Sequence, residues 1–112
     1  MRRAILLVVL VALFAACPAT ERNPFIGSWS VAAGLYSVTY TFTSDMRFVK
    51  EGTDGNGLPF YYEGDYEYTD TELVLAFDWD APLYCDYNFY DNGKGLRITD
   101  TDTGDTLFLT KD

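Results

Sequence analysis

The alternation in residues 36–43 constrains the fold of this chain more than any other feature. The run reads YSVTYTFT, so every second side chain is large and apolar while the side chains between carry hydroxyl groups. Because successive side chains of a strand point to opposite faces of a sheet, this period of two is typical of a strand with one buried face. Later segments repeat the pattern. The sequence therefore predicts antiparallel β structure.

Eight short segments with this alternation follow one another, separated by turn residues. A glycine-rich loop is predicted at 51–57, and the longest strand is predicted at 58–69, where Gly64 indicates a bend. Asn92-Gly93 predicts a type I′ hairpin turn. Eight consecutive strands without a helical period favour an antiparallel meander that closes as a small β-barrel and hides its strand edges. A two-sheet β-sandwich is the alternative architecture.

Thirteen large aromatic side chains are predicted to face inward. Eight strands enclose an interior just wide enough for side chains or one small ligand. We therefore expect these rings to fill the barrel and to leave at most a cleft at one mouth, with Trp29 as a plug at one end. The predicted inward aromatics are Trp29, Tyr36, Tyr40, Phe42, Phe48, Phe60, Tyr62, Tyr66, Tyr68, Phe77, Trp79, Tyr87 and Phe89.

The amino-terminal segment is typical of a targeting signal. Two arginines follow Met1, and an unbroken apolar run spans residues 4–14, too short to cross a bilayer comfortably. The run ends in LFAAC, which resembles the lipobox of bacterial lipoproteins, where small residues precede a cysteine that is acylated and becomes the first residue. The resemblance implies that Cys17 carries acyl chains such as palmitate. Ordinary signal cleavage and a retained hydrophobic tail are the alternatives.

Lipidation at Cys17 divides the chain into three parts. Residues 1–16 are the predicted signal peptide, residues 17–24 the lipidated cysteine and a polar tether, and residues 25–112 the barrel domain. Several acyl chains on one cysteine anchor a protein stably to a membrane. The predicted location is the bacterial cell envelope, with the domain facing the periplasm or the exterior.

Five short motifs, taken in order, resemble the small lipocalin-like domains of bacterial lipoproteins. The resemblance implies an eight-stranded barrel with a Gly-x-Trp motif in its first strand, and many members of that family have no assigned activity. The motifs are Gly27-Ser28-Trp29, Tyr40-x-Phe42 followed by Ser44 to Phe48, Gly64-x-Tyr66, Leu73-x-Leu75 and Leu107 to Lys111.

Charge and composition argue against several classes of function. The chain carries a net charge of −9, which repels phosphate backbones and disfavours nucleic-acid binding. It has no histidine, so it has no Ser-His or Cys-His pair and no imidazole zinc site. Cys85 is predicted to be a small buried hydrophobe. We expect no catalytic residues, no metal site and no cofactor, and hence a protein that is not an enzyme.

Binding is the function that these features favour. We expect the barrel to bind a small apolar or sugar-like ligand, or a protein, at a loop end. The alternative is an interaction or inhibitor module with a filled barrel and no small-molecule ligand. Four outward aromatics are the candidate binding residues, namely Tyr61, Tyr84, Tyr90 and Phe108.

Overall fold

The computed structural model describes residues 23–112, which form eight antiparallel strands closed into a β-barrel. The predicted barrel is confirmed, and the chain does not form the alternative sandwich. The predictions for the signal peptide at 1–16 and for lipidation of Cys17 lie outside the described residues. The strands are β1 (Gly27–Ala33), β2 (Tyr36–Phe42), β3 (Arg47–Thr53), β4 (Pro59–Tyr68), β5 (Glu72–Phe77), β6 (Leu83–Tyr90), β7 (Gly95–Asp100) and β8 (Thr106–Lys111).

Each strand pairs with the next in sequence, and β1 pairs with β8 to close the barrel. That seam is short, with Trp29 opposite Lys111 and Ser30 opposite Thr110. The backbone N–H of Asp112 extends it by donating to the Ser28 carbonyl at 2.9 Å. Within residues 23–112 there is no helix long and apolar enough to cross a bilayer.

Phe25, which precedes β1, closes one end of the barrel. Its side chain is fully buried, and the Trp29 indole N–H donates to its carbonyl oxygen at 2.8 Å. Asn23 fixes this segment by accepting from the Phe25 N–H at 2.9 Å and donating to the Tyr66 hydroxyl at 2.7 Å. Five rings surround Phe25 with centroids 4.8–6.1 Å away, namely Phe42, Tyr66, Tyr68, Tyr87 and Phe89. We call this the closed end.

Trp29, the predicted plug, lies at this end of the barrel together with Phe25. Trp29 is buried beside the closed end, but Phe25 is the side chain at the centre of the five rings. Phe25 lies before the first strand, where no alternation marks it as inward. It reaches the interior because the chain turns at residues 24–25 before β1 begins.

Trp79 was predicted to face inward, and this prediction was wrong. Strand β5 ends at Phe77, and Trp79 lies in the following loop with 90% of its surface exposed. The carboxylate of Asp78 turns outward to accept two hydrogen bonds from Arg47 at 3.0 and 3.1 Å. This ion pair and the nearby Pro82 end the pairing of β5. The alternation of the strand therefore no longer determines where the Trp79 side chain points.

Of two predicted turns, the glycine-rich loop is shorter than predicted, and the one at Asn92-Gly93 is observed. Strand β3 continues through Thr53, because Glu51 pairs with both Thr39 and Tyr61, and the loop is confined to residues 54–58. The predicted turn at Asn92-Gly93 has positive φ at both central residues, 56° and 83°, and the Lys94 N–H closes it by donating to the Asp91 carbonyl at 3.0 Å. Asp91 also has a positive φ of 54°, and the Gly93 N–H donates to the Tyr90 carbonyl at 3.1 Å, so a second turn overlaps the first.

Candidate functional site

The end of the barrel opposite Phe25 carries the turn or loop residues 34–35, 54–58, 78–82 and 101–105. We call it the mouth. Its inward side chains are less completely covered than those of the central core, and Tyr62 is 46% exposed although its ring contacts those of Phe60 and Phe77. Half-buried side chains at this end include Tyr36, Phe60, Phe77, Leu83 and Leu107.

Four exposed apolar side chains surround the mouth, and we call them the apolar rim: Leu35, Leu58, Tyr62 and Trp79. Leu35 lies against the β3–β4 loop, where a Cβ added at Gly57 would fall 3.8 Å from its Cδ1. Trp79 lies in the loop after β5, and this loop is held to β4 by the backbone N–H of Asp78, which donates to the Glu63 carbonyl at 2.9 Å. Large apolar side chains gathered on one exposed edge are typical of binding surfaces.

Lys50 lies among the inward side chains of β3. It lies two residues after Phe48 and therefore on the same face of the strand. Its ammonium group lies over three aromatic rings, 5.6 Å from the ring centroid of Tyr40, 5.9 Å from that of Phe77 and 6.0 Å from that of Phe60. Burial lowers the pKa of this ammonium group. Cation–π contacts stabilise the charged form by about 0.5–2 kcal/mol each at most.

No counter-ion accompanies Lys50 within residues 23–112. The ion pairs in this part of the chain all involve Arg47, on the outer wall, which contacts Asp65 and Asp78 at 3.0 Å and Glu63 at 3.6 Å. The Lys50 ammonium also donates no hydrogen bond to any residue in this range. Lys50 is only partly buried, and a partly buried charge without a counter-ion can pair with a ligand.

Tyr40 lies directly beside Lys50 in the β2–β3 ladder. Only 2% of its surface is exposed, and its hydroxyl group forms no hydrogen bond with the described part of the chain. Burial raises the pKa of Tyr40, and the neighbouring Cys85 and Tyr36 raise it further. Because a buried donor without a partner costs about 1–3 kcal/mol, this hydroxyl is a second polar group that a ligand can satisfy.

Cys85 completes the polar cluster inside the barrel. The prediction that it is buried is confirmed, since its side chain is inaccessible to solvent. Burial raises the pKa of its thiol to about 12, with further raising by Asp100 and Asp86 and a smaller lowering by Lys50. The thiol is therefore protonated at neutral pH, and a protonated thiol is a poor nucleophile.

The carboxylate of Asp100 is the inward acidic group at the end of β7. It accepts hydrogen bonds from the backbone N–H groups of Asp102 at 2.8 Å and Thr103 at 3.4 Å. Both bonds go to its Oδ1, and the carboxylate forms no ion pair with Lys50. Lys50 therefore has no acidic partner within residues 23–112.

The four predicted binding residues do not form one site. Tyr90 and Phe108 come together on the outer wall, with ring centroids 6.3 Å apart. Tyr84 lies six positions from Tyr90 on the same strand, a separation of about 20 Å. Tyr61 faces outward on β4, where it lines a shallow depression of about 570 Å³ together with residues that include Ser37, Thr39, Glu51 and Phe60.

Sequence reasoning missed Lys50 and the rim leucines. The sequence already assigned Phe48 to the inner face, so Lys50, two residues later on β3, follows on that face. The prediction of a loop beginning at residue 51 obscured this position. Leu35 and Leu58 lie in turns, so they belong to no alternating strand pattern that would have marked them. Only the closure of the barrel brings those turns to the same end.

Residues 23–112 contain no group of three or more His, Cys, Asp or Glu side chains that could hold a metal ion. In comparisons with known proteins, no family model and no curated protein matches this chain.

Proposed function

We propose that this protein is a membrane-anchored bacterial envelope lipoprotein whose barrel binds a small apolar or sugar-like ligand at the mouth. It has no catalytic role in this proposal, and Cys17 carries the lipid. The observation that carries the proposal is the asymmetry of the barrel. Phe25 fills one end, whereas the other carries an apolar rim above Lys50 and Tyr40, whose polar groups have no partner within residues 23–112.

The position of the tether supports this arrangement. The described chain enters the barrel at the closed end through Asn23 and Phe25. A lipid on Cys17 would therefore place the membrane on the side of the closed end. The mouth would face away from that membrane and remain accessible to a ligand in the surrounding compartment.

Anchoring is tested by comparing the wild type with Cys17→Ser in a bacterial host supplied with radioactive fatty acid. We expect label and membrane sedimentation for the wild type and loss of both for the variant. Cys85→Ser is the matched control, because the other cysteine is buried and is expected to leave labelling unchanged. Equal labelling of wild type and Cys17→Ser would refute the lipid anchor.

Binding at the mouth is tested by titrating the protein with decanol and octyl glucoside below their micelle concentrations. Trp79 on the apolar rim is the reporter, because it is exposed whereas Trp29 is buried. We expect a blue shift of Trp79 emission that is abolished by Trp79→Phe and weakened by Leu35→Ser with Leu58→Ser. Ile26→Ser, an exposed apolar position at the closed end, is the control and should leave the titration unchanged.

A protein-interaction role is the second candidate, and one observation favours it. The ring of Tyr90 crosses β7 to reach Phe108 on β8, and it does so over Gly95, where an added Cβ would lie 2.4 Å from the tyrosine ring. This fixes an aromatic surface on the wall of the barrel. Tyrosine and phenylalanine are common at the centre of protein interfaces.

Pull-down from envelope extracts distinguishes the two roles. The wild type, Tyr90→Ser with Phe108→Ser, and Leu35→Ser with Leu58→Ser are compared. A stoichiometric partner that is lost only with the first double variant supports the wall surface. A partner that still binds Tyr90→Ser with Phe108→Ser but no longer binds Leu35→Ser with Leu58→Ser would assign the interaction to the mouth.

A further inference from the structure

We propose that Lys50 is the head-group site for a monoanionic amphiphile, whose carboxylate pairs with the Lys50 ammonium while its apolar tail lies across the apolar rim. The inference rests on the proposed binding at the mouth and adds the chemical class of the ligand. It begins from Lys50 itself. Three aromatic rings lie within 6.0 Å of its ammonium group, and residues 23–112 provide it with no carboxylate partner.

The cluster contains two donors that have no partner within residues 23–112. Lys50 offers ammonium hydrogens, and Tyr40 offers a buried hydroxyl without a protein partner. The inward carboxylate of Asp100 accepts two backbone hydrogen bonds at its Oδ1 in its own turn, and it forms no ion pair with Lys50. An oxygen anion from a ligand satisfies both donors at once, which a neutral apolar molecule does not.

The charge of the mouth limits the ligand to one negative charge. Its turns contain no lysine or arginine, and they carry five aspartates, namely Asp54, Asp78, Asp80, Asp102 and Asp105. Asp78 is paired with Arg47, and the others surround the entrance. The aspartates repel both negative charges of a dianion such as a phosphate monoester. A carboxylate has one negative charge, which the Lys50 ammonium alone can neutralise.

The filled interior determines where the tail lies. The core below Lys50 is occupied by fully buried side chains such as Phe48, Leu73 and Leu75. A long chain cannot extend into the barrel axis without displacing them, and close-packed cores resist such changes. The tail therefore lies outward on Leu35, Leu58, Tyr62 and Trp79.

The test compares three probes with the same ten-carbon chain and different heads: decanoate, decanol and decyltrimethylammonium. Binding is followed by calorimetry and by Trp79 emission below the micelle concentration. We expect decanoate to bind the wild type roughly tenfold more tightly than decanol, and the cationic probe to bind most weakly. In Lys50→Met the two dissociation constants become equal, whereas Lys50→Arg retains the preference for decanoate.

Tyr40→Phe removes the hydroxyl donor and keeps the Lys50 ammonium, so it measures the contribution of the hydroxyl alone. We expect it to weaken decanoate by about threefold and to leave decanol unchanged, since one neutral hydrogen bond is lost. Thermal unfolding of each variant verifies folding, and Lys50→Gln replaces Lys50→Met if the latter fails to fold.

The outcomes separate this inference from the proposed function. Equal binding of all three probes, unchanged in Lys50→Met, would overturn the head-group site and leave binding at the mouth intact. Preference for the cationic probe would overturn it in favour of recognition by the aspartates. If none of the three probes binds, both the head-group site and the proposed ligand binding fail.

Discussion

Phe25 shows at the scale of single residues how one side chain outside any strand can complete a core. Its ring contacts five others, and its carbonyl accepts the Trp29 indole hydrogen, so two buried aromatics are fixed relative to each other. The buried tyrosine hydroxyls at this end are also satisfied. That of Tyr66 donates to the Thr43 carbonyl at 2.9 Å, and that of Tyr87 to the Thr69 carbonyl at 2.5 Å.

Replacing Phe25 by alanine is expected to lower the free energy of unfolding by about 3–5 kcal/mol, because it leaves a cavity among five rings. Urea unfolding followed by circular dichroism measures the change. Phe108→Ala is the control, since that ring is 58% exposed, and its effect is expected within about 0.5 kcal/mol. Similar losses for both variants would contradict the assignment of Phe25 as the plug.

The thiol of Cys85 is expected to be inert in the folded protein. At pH 8 in a Cys17→Ser background, its reaction with a chromogenic disulfide should be at least about 100-fold slower in the native than in the urea-unfolded state. The physical reason is that burial keeps the thiol protonated. Rapid native-state labelling would contradict the burial of this group.

The same raised pKa predicts how stability depends on pH. An unfolded thiol ionises near pH 8.5, whereas the native Cys85 thiol holds its proton to about pH 12. The stabilisation is present below about pH 8.5 and is lost as pH rises toward about 12, because the unfolded state releases its proton first. Denaturation between pH 8 and 11 should therefore show a shallower loss of stability in Cys85→Ala than in the wild type.

At the scale of elements, β4 and β5 approach each other closely at Gly64. A Cβ there would lie 2.1 Å from the Ala76 carbonyl oxygen, so only glycine fits without displacing the backbone of β5. The predicted special role of Gly64 thus has a steric basis in the pairing of these two strands.

Gly64→Ala is expected to destabilise the protein by about 2–3 kcal/mol, because either β4 or β5 must shift. Gly55→Ala is the matched control. It lies in the β3–β4 loop with nothing within 4 Å of an added Cβ, and we expect its effect to stay within about 0.5 kcal/mol. Equal stability of Gly64→Ala and wild type in urea would show that the backbone relaxes freely at this point.

At the scale of the whole molecule, the seam between β1 and β8 decides whether the sheet is a barrel or an open meander. Two residue pairs form it, and the terminal Asp112 reinforces it by accepting from the Ser30 hydroxyl at 2.9 Å. The Lys111 ammonium lies 5.3 Å from the Trp29 ring centroid, inside the same seam.

Removing residues 110–112 is expected to open this seam. The truncated chain should lose about 2–4 kcal/mol of stability through the lost hydrogen bonds. It should also form dimers or larger species through the two exposed strand edges. Light scattering after size-exclusion chromatography measures the association. Lys111→Ala in the full-length chain is the control, because it keeps the backbone of the seam, and it should have the same oligomeric state as the wild type.

The sequence by itself determined the strands, because the period of two in segments such as 36–42 follows directly from pleating and burial. It also determined the inward faces of the central strands, including Cys85. Only the tertiary structure decided what happens where strands end. Phe25 enters the core, Trp79 leaves it and Lys50 is placed among rings from neighbouring strands, because closure of the barrel brings together residues whose positions no local period encodes.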